Sequence, residues 1–200
     1  MSIVDCSFIN NIAIQQGGAI YYNFRRPHIL NTFYSNNTAL YGPNIASYPV
    51  RIVFNNSAND SMRLTDVVSG ATYSNKLNLT IIDYDNQVMN LLSNSQIKIV
   101  AVVNNATVKG IDSSKLIDGV AEFDNIQFIY KPGHPNTTYL AISNLIDANK
   151  VRYVDVSTDN TISVSFRYCE PGEVIVNNRT CRQCDAGTYS LKWNSTECHE

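Results

Sequence analysis

The chain has 200 residues, of which 44% are hydrophobic and 16% are charged, so it contains enough apolar material to form a folded core. Its 15 Lys and Arg residues against 17 Asp and Glu residues give a formal net charge of −2, which argues against the basic surface of a nucleic-acid-binding protein. No apolar run reaches the length of a membrane span, and residues 1–6 do not have the pattern of a signal peptide. We therefore expect any attachment to a membrane to use a span outside this chain.

An internal repeat occupies residues 1–50. Two segments align at a spacing of 25 residues, and the equivalent pairs are Phe8/Phe33, Asn11/Asn36, Gly17/Gly42 and Ile20/Ile45. Short apolar stretches between Asn and Gly corners, repeated at this period, are typical of a solenoid whose turns stack on one another. Equivalent Asn side chains would then form hydrogen-bonded ladders. A pair of hairpins in an ordinary β domain is the alternative interpretation.

The motif Phe-x-x-Asn followed by Gly-Gly-Ala-Ile begins at Phe8 and at Gly17. It is similar to the repeat of polymorphic outer-membrane proteins and of pectin-lyase-like right-handed β-helices. This resemblance implies that residues 1–50 are the terminal turns of a right-handed parallel β-helix, and that earlier turns precede Met1. Enzymes of the pectin-lyase-like fold cleave polysaccharides with clustered carboxylates, whereas Asp5 is the only acidic residue in the two repeats.

Residues 51–167 have the pattern of short β-strands. Alternating apolar and polar residues predict strands at 75–83, 96–103, 120–130, 139–142, 151–156 and 162–166. Turn signals such as Asp118-Gly119 and Pro132-Gly133 separate them, and no segment has a capped helical period. About seven short strands in this length predict an immunoglobulin-like β-sandwich. The stretch Gly119–Phe128, followed by Lys131-Pro132-Gly133, resembles Ig-like modules of the filamin or bacterial-adhesin type.

Four of the five cysteines lie in residues 168–200, while Cys6 stands alone. The four are Cys169, Cys181, Cys184 and Cys198. A short polar segment cannot hold its shape by burial alone, so this density of cysteine favours a disulfide framework and an oxidising compartment. A zinc site with four cysteine ligands is the alternative, because Cys181-x-x-Cys184 has the spacing of a ligand pair. Spacing alone leaves three disulfide connectivities open.

The same segment carries Gly-Thr-Tyr-Ser at Gly187–Ser190, shortly after the Cys-x-x-Cys pair. It resembles the cysteine-rich module of ephrin-type receptors and growth-factor-receptor-like ectodomains, truncated at Glu200. This resemblance implies the bonds Cys169–Cys181 and Cys184–Cys198. The order of β-helix end, Ig-like sandwich and cysteine-rich module resembles the ectodomains of very large surface proteins of protists.

Asparagine is the most frequent residue, with 25 occurrences, and eight of these begin an Asn-x-Ser/Thr sequon. The eight are Asn36, Asn55, Asn59, Asn78, Asn105, Asn136, Asn178 and Asn194. This is about twice the number expected by chance, and it predicts N-linked glycosylation. A generally Asn-rich composition is the alternative explanation.

Few residues indicate catalysis or metal binding. The three histidines, His28, His134 and His199, are not part of a catalytic or metal-binding motif, and no cofactor is predicted. Asp83, Asp85 and Asn86 offer the oxygen ligands that calcium prefers, although an Asx-rich turn explains the same residues. We expect Arg25 and Arg26 to lie in a solvated loop.

These patterns predict a non-catalytic extracellular part of a cell-surface protein, with a structural, adhesive or receptor-like role. Its location would be the extracellular face of the plasma membrane or the secreted state. The expected partner is an extracellular protein or glycan rather than a nucleic acid. The alternative is an accessory region of a secreted carbohydrate-active β-helix enzyme whose active site lies outside this chain.

Overall fold

The computed structural model describes residues 1–55, 59–152 and 158–200. Within these ranges the fold consists of eighteen strands and one helix of four residues, so the predicted all-β class is confirmed. No helix in the described ranges has the length and hydropathy needed to cross a membrane.

The first six strands form two stacked turns of chain. They are β1 (Ser2–Val4), β2 (Ser7–Ile9), β3 (Ile20–Tyr21), β4 (His28–Leu30), β5 (Phe33–Ser35) and β6 (Ile45–Ala46). We call residues 2–21 the first coil and residues 28–46 the second coil. The pairs β1–β4, β2–β5 and β3–β6 are all parallel, so each strand of the first coil lies beside its counterpart in the second.

The register of this stack corrects the predicted repeat. Phe8 pairs with Tyr34, a spacing of 34 − 8 = 26, whereas Ile20 pairs with Ile45, a spacing of 45 − 20 = 25. Parallel bridges join position 12 to position 38 and position 16 to position 41. The bridged positions are separated by three residues in the first coil and by two in the second, so the first coil has one extra residue there. Equating Phe8 with Phe33 and Asn11 with Asn36 is therefore wrong by one residue. Equating Ile20 with Ile45 is confirmed.

Asparagine corners and ladders follow the corrected register. Asn10 and Asn36 both have left-handed backbone conformations, with φ of 56° and 53°, which asparagine tolerates better than most residues. The Asn11 side chain donates from Nδ2 to Oδ1 of Asn37 at 2.9 Å. Asn37 is buried and also donates to the carbonyl oxygen of Phe8. The predicted ladder is therefore present, with Asn37 as the partner of Asn11.

The second part of the chain contains ten strands and the helix. They are β7 (Pro49–Phe54), β8 (Ser61–Val67), β9 (Leu77–Asp83), β10 (Gln96–Ala101), β11 (Thr107–Gly110), β12 (Ser113–Lys115), β13 (Val120–Phe123), β14 (Ile126–Ile129), β15 (Thr137–Ile142), α1 (Ala148–Val151) and β16 (Thr161–Phe166). A five-stranded sheet has the order β12-β10-β15-β16-β8, and a three-stranded sheet has the order β13-β9-β7. β11 and β14 form a separate antiparallel pair. Alternate side chains of both larger sheets enter one hydrophobic core.

The alternation pattern located five of the predicted strand regions. The regions 75–83 and 96–103 contain β9 and β10, and the region 120–130 contains β13 and β14. The regions 139–142 and 162–166 lie within β15 and β16, which begin two residues and one residue earlier. The strand predicted at 151–156 is wrong at Val151, which ends α1, and residues 153–156 lie outside the described ranges. α1 begins where the Asp147 carboxylate accepts a hydrogen bond from the Asn149 N–H at 2.8 Å.

The last part of the chain is a small hairpin with two disulfides. β17 (Glu173–Val176) and β18 (Thr180–Gln183) pair antiparallel. The disulfides join Cys169 to Cys181 and Cys184 to Cys198, which is the pairing implied by the receptor-module resemblance. The buried apolar residues of this part are Cys169 and Val174 among the positions described. Covalent cross-links therefore replace a hydrophobic core here.

Candidate functional site

A turn after β9 joins the two coils to the sheets through one buried carboxylate. Asp83 is completely buried at the end of β9. Its Oδ1 accepts hydrogen bonds from the N–H groups of Asp85 and Gln87, each at 2.9 Å. Its Oδ2 accepts from the N–H of Ser47, just after the second coil, and from Nε2 of Gln87, each at 3.2 Å. The carboxylate thus replaces its lost hydration with four donors from both sides of the joint.

Asp85, two residues further, contacts the loop between the two coils. Its Oδ2 accepts from the Tyr22 hydroxyl at 2.6 Å, and its Oδ1 accepts from Nε of Arg26 at 2.8 Å. Arg25 and Arg26 are exposed in the loop between β3 and β4, as predicted, and the Arg26 guanidinium also forms an ion pair with Asp85. Burial and the hydrogen bond to Asp85 raise the pKa of Tyr22 above its ordinary value. Burial alone would lower the pKa of Arg26, but the hydrogen bond and the charge of Asp85 raise it.

The residues proposed as calcium ligands lie together in this turn. Both oxygens of Asp83 and both oxygens of Asp85 accept from protein donors, as described above. The amide oxygen of Asn86 accepts from a guanidinium nitrogen of Arg51 at 2.6 Å, and Asn86 has a turn conformation with φ of 62°. A calcium ion would have to displace these donors. The Asx-rich turn accounts for the three residues without a metal.

A lysine makes a second contact across the same joint. The Lys150 ammonium, from α1, lies 5.6 Å from the centre of the Phe24 ring and 5.4 Å from that of Tyr48. These distances fit cation–π attraction. The Tyr48 hydroxyl donates to the carbonyl oxygen of Phe24 at 2.6 Å, which holds Phe24 at an unusual φ of 126°. The loop after the first coil is therefore fixed to both α1 and the segment that enters β7.

The joint between the sheets and the disulfide hairpin centres on Ser69. Its hydroxyl is hydrogen-bonded to the carbonyl oxygens of Tyr130 and Arg179, and it accepts from the Tyr130 N–H at 3.1 Å. The Cys181 N–H donates to the carbonyl oxygen of Ser69 at 3.0 Å. The next residue, Gly70, has no space for a side chain, because a Cβ atom there would lie 2.6 Å from Cγ2 of Thr180. The disulfide hairpin thus packs directly against the backbone after β8.

An ion pair supports the same joint. Arg167, just after β16, donates from both terminal nitrogens to the Glu173 carboxylate at 2.9 and 2.8 Å. This two-point geometry is the strongest arrangement for an arginine and a carboxylate. The Arg167 hydrogen bonds lower the pKa of Glu173 below its ordinary value, despite the opposing effect of burial. The hairpin is consequently held by a charge pair as well as by backbone contacts.

The cysteines proposed as an alternative zinc site are bonded to one another. Among the residues that the structure describes, one group of three potential metal ligands comes together, namely Cys169, Glu173 and Cys181. Its two sulfur atoms form a disulfide, so they are not available as thiolate ligands. Cys6 has a free thiol that donates to the carbonyl oxygen of Val4 at 3.2 Å.

The eight sequon asparagines differ in exposure. Six are exposed, namely Asn36, Asn55, Asn59, Asn105, Asn136 and Asn178. Asn78 is half-buried within β9, and Thr80 of its sequon is 1% exposed. Asn194 is also half-buried, and its side-chain oxygen accepts from the Cys169 N–H at 2.9 Å. Six sequon asparagines are therefore accessible for glycosylation, whereas Asn78 and Asn194 are engaged in the fold.

The histidines lie in three different parts of the molecule. His28 begins β4, His134 lies in the turn before β15, and His199 pairs with the backbone of Tyr189. The His134 ring contacts the Thr137 hydroxyl at 3.1 Å, but Thr137 is completely buried and cannot meet a substrate.

Comparison with known proteins returns no match: no family model, no curated protein and no solved structure matches this chain. Its function has to be inferred from its own residues.

Sequence reasoning missed the residues that hold the joints. These residues belong to no recognisable motif. They are Tyr22, Arg26 and Gln87 at the first joint, between the coils and the sheets, and Ser69 and Arg167 at the second joint, between the sheets and the disulfide hairpin. The one available signal was the density of acidic and amide residues at positions 83–87, which marked the turn but not its partners.

Proposed function

We propose that this chain is a non-catalytic extracellular part of a cell-surface protein, with a structural, adhesive or receptor-like role. The observation that carries the proposal is the pair of disulfides in a hairpin that buries Cys169 and Val174 as its apolar residues. Such a segment depends on its cross-links, and structural disulfides persist mainly in oxidising compartments. This chemistry supports a location on the extracellular face of the plasma membrane, or a secreted one.

The proposed architecture has three modules. Residues 1–50 are terminal turns of a right-handed parallel β-helix, residues 51–167 are an Ig-like β-sandwich, and residues 168–200 are a truncated cysteine-rich module. The parallel pairing of the two coils and the shared core of two sheets support the first two assignments. The Cys-x-x-Cys and Gly-Thr-Tyr-Ser motifs support the third. By resemblance, the order of modules fits the ectodomain of a large surface protein of protist type.

Both joints between the modules are rich in specific polar contacts. Asp83 and Asp85 hold the first joint, and Ser69, Arg167 and Glu173 hold the second. Charge-assisted hydrogen bonds of this kind restrict the relative movement of packed modules. A molecule built this way is suited to holding a binding surface at a fixed orientation, and its partner would be an extracellular protein or glycan.

Two further observations support a non-catalytic glycoprotein. Six sequon asparagines are exposed and would accept glycans in the secretory pathway. Asp5, the only acidic residue of the two coils, accepts a hydrogen bond from Nδ2 of Asn31 at 3.1 Å, as part of a ladder. It has no second carboxylate beside it in the coils, as hydrolysis of a polysaccharide would require.

The test is a non-reducing peptide map of the chain secreted from eukaryotic cells, with glycan occupancy measured on the same digest. We expect bonds Cys169–Cys181 and Cys184–Cys198, a free Cys6 and glycans on several exposed sequons. Four free thiols that bind zinc, together with bare sequons, would place the chain in a reducing compartment and overturn the proposal.

A further inference from the structure

A groove lies at the joint between the sheets and the disulfide hairpin. It consists of two adjoining cavities of about 250 and 180 Å³, which share Asn177 and Arg179 in their walls. Lys131, in the turn after β14, lines the larger cavity, and Lys109, in β11, lines the smaller one. No acidic residue is among those that line either cavity. We call this site the basic groove, because a chain of net charge −2 places three positive charges around it.

A tight turn between β17 and β18 fixes the position of Arg179. Asn177 and Asn178 both have left-handed backbone conformations, with φ of 52° and 56°, which asparagine tolerates better than most residues. The Arg179 N–H donates to the carbonyl oxygen of Val176 at 3.1 Å and closes the turn. The arginine is therefore presented to the groove from a short, hydrogen-bonded connection rather than from a long loop.

The Arg179 guanidinium is half-buried without a carboxylate beside it. Its Nη2 donates to the carbonyl oxygen of Asn105 and to the Thr107 hydroxyl, the latter at 3.2 Å. Its Nε is buried and has no hydrogen-bond acceptor. Arg179 takes part in none of the ion pairs found within the described ranges. A partly desolvated charge is unfavourable until an anion or further acceptors compensate it, so this guanidinium is short of an anionic partner.

The two lysines strengthen the same preference. Lys109 and Lys131 are exposed, and within the described part of the chain their side chains form no hydrogen bond or ion pair. A cleft lined by charges of one sign concentrates counter-ions. Because one lysine lines each cavity and Arg179 lines both, an anion at Arg179 has positive charge on either side.

The uncharged groups of the basic groove suit a carbohydrate. The Thr107 and Thr180 hydroxyls and the Asn177 amide both donate and accept hydrogen bonds, as the hydroxyl groups of a sugar require. Tyr130 is the one aromatic residue in the walls of the two cavities. A single aromatic ring and a negative net charge do not favour a nucleic acid, which binds through stacked bases and a broad basic surface.

We propose that the basic groove binds an acidic saccharide, with a carboxylate or sulfate group of the sugar against Arg179 and flanked by Lys109 and Lys131. Arginine is suited to this role, because its planar guanidinium matches the geometry of such oxyanions. The proposal rests on the proposed function and deepens it, since it names the partner as an acidic glycan of the extracellular space.

The binding test must keep the chain's own glycans out of the groove. Asn105 and Asn178 are sequon asparagines and also line the larger cavity. The secreted chain with Asn105→Gln and Asn178→Gln keeps both side-chain amides and carries no glycan there. Titration calorimetry of this chain compares a sulfated, an unsulfated uronate and a neutral oligosaccharide of equal length. We expect one or both acidic probes to bind and the neutral one not to bind. Affinity should fall by about tenfold between roughly 0.05 and 0.5 M NaCl.

Three lysine variants of that chain locate the binding site. Lys109→Gln and Lys131→Gln should each raise the dissociation constant by about three- to tenfold, because each removes a charge beside the bound oxyanion. Lys115→Gln is the matched control, since Lys115 is exposed on β12 and lines neither cavity. It removes the same charge and should change the dissociation constant by less than about twofold. Arg179 also bonds to the segment before β11, so the lysines test the site without disturbing the joint.

The outcomes separate this proposal from the proposed function. A chain that binds neither acidic probe, or that binds the neutral probe equally well, would overturn the basic groove as a saccharide site. So would equal losses in Lys115→Gln and in the two groove variants. If the peptide map still shows both disulfides and occupied sequons, the extracellular assignment stands while the saccharide site fails. Free thiols and bare sequons would instead overturn the extracellular assignment, and with it the choice of an extracellular glycan.

Discussion

The hydroxyl of Tyr22 donates a 2.6 Å hydrogen bond to Oδ2 of Asp85, and this contact joins residues that are 63 positions apart. Arg26 donates to the other oxygen of the same carboxylate. The Asp85 side chain is 11% exposed, so these two donors replace most of its hydration. The loop between the two coils and the turn after β9 are consequently held as one unit.

Removing the Tyr22 hydroxyl should therefore destabilise the molecule. Tyr22→Phe keeps the ring but leaves one oxygen of a largely buried carboxylate without its donor, which should lower the free energy of unfolding by about 1–2 kcal/mol. Tyr21→Phe is the matched control, because Tyr21 is the preceding residue and is 45% exposed. Urea unfolding of both variants gives the comparison, and equal effects would show that the Tyr22–Asp85 bond contributes nothing specific.

The first joint also predicts the response to calcium. Because Arg26, Tyr22 and backbone N–H groups already occupy the oxygens of Asp83 and Asp85, millimolar calcium should not raise the melting temperature. Thermal unfolding with calcium and with a chelator is the measurement. A calcium-dependent rise that disappears in Asp85→Asn would contradict this expectation and restore the metal site.

The local features of the fold were largely predictable, and the contacts between distant segments were not. Alternating side chains revealed β9, β10, β15 and β16, because each has one face in the core. β8 escaped this pattern because Asp66 within it has a left-handed φ of 56°, and the register with β16 shifts nearby. The ion pair between Arg26 and Asp85 spans 59 residues, so no local spacing could reveal it.

The one-residue error in the repeat has a similar cause. Aligning the sequence on the Gly corners gives the correct register at Ile20 and Ile45. The first coil has one extra residue between positions 12 and 16, so the structural partners of all earlier residues lie one position further along the second coil than this alignment places them. Asn36 and Asn37 are adjacent, and the sequence does not show which of them points inward to pair with Asn11. In the structure the partner is Asn37.

The ion pair at the second joint should make stability depend on pH. Hydrogen bonds to Arg167 lower the pKa of Glu173 from 4.5. The ionised Glu173 side chain therefore stabilises the folded state at pH values above its unfolded-state pKa. That stabilisation is lost as the pH falls below 4.5 and passes the lower folded-state pKa. Glu173→Gln should cost about 1–2 kcal/mol near neutral pH, and the difference from wild type should shrink in acid.

A second acidic residue provides the control for this pH effect. Glu122 pairs with Lys76 at 3.3 Å, but its side chain is 59% exposed. Glu122→Gln should therefore change stability by less than about 0.5 kcal/mol at any pH. Urea unfolding followed by circular dichroism measures both variants with the same readout. A penalty for Glu173→Gln that is constant across the acid range would show that the Arg167 pair is not its origin.

The loop from Cys184 to Cys198 should lose its structure without its disulfide while the sheets remain folded. Replacing Cys184 and Cys198 by serine removes the bond that closes the second loop, which should cost about 3 kcal/mol. Trypsin should then cleave rapidly at Lys192, which lies inside that loop, whereas the hydrophobic core of the sheets protects the preceding part of the chain. Cys6→Ser is the control, because Cys6 forms no disulfide. Unchanged cleavage in the double variant would contradict this dependence on cross-links.

Glycan occupancy should follow exposure in the folded chain. Asn178 lies exposed in the turn between β17 and β18, with a φ of 56°. Asn78 lies within β9 opposite Glu122, and its side-chain oxygen is buried. A glycan on Asn78 would have to be accommodated between paired strands, and Thr80 beside it is itself buried. Asn178→Gln should therefore remove one glycan from the secreted protein, seen as a mass shift, and Asn78→Gln should remove none. A glycan found on Asn78 would show that β9 does not pair in the secreted chain as it does in this structure.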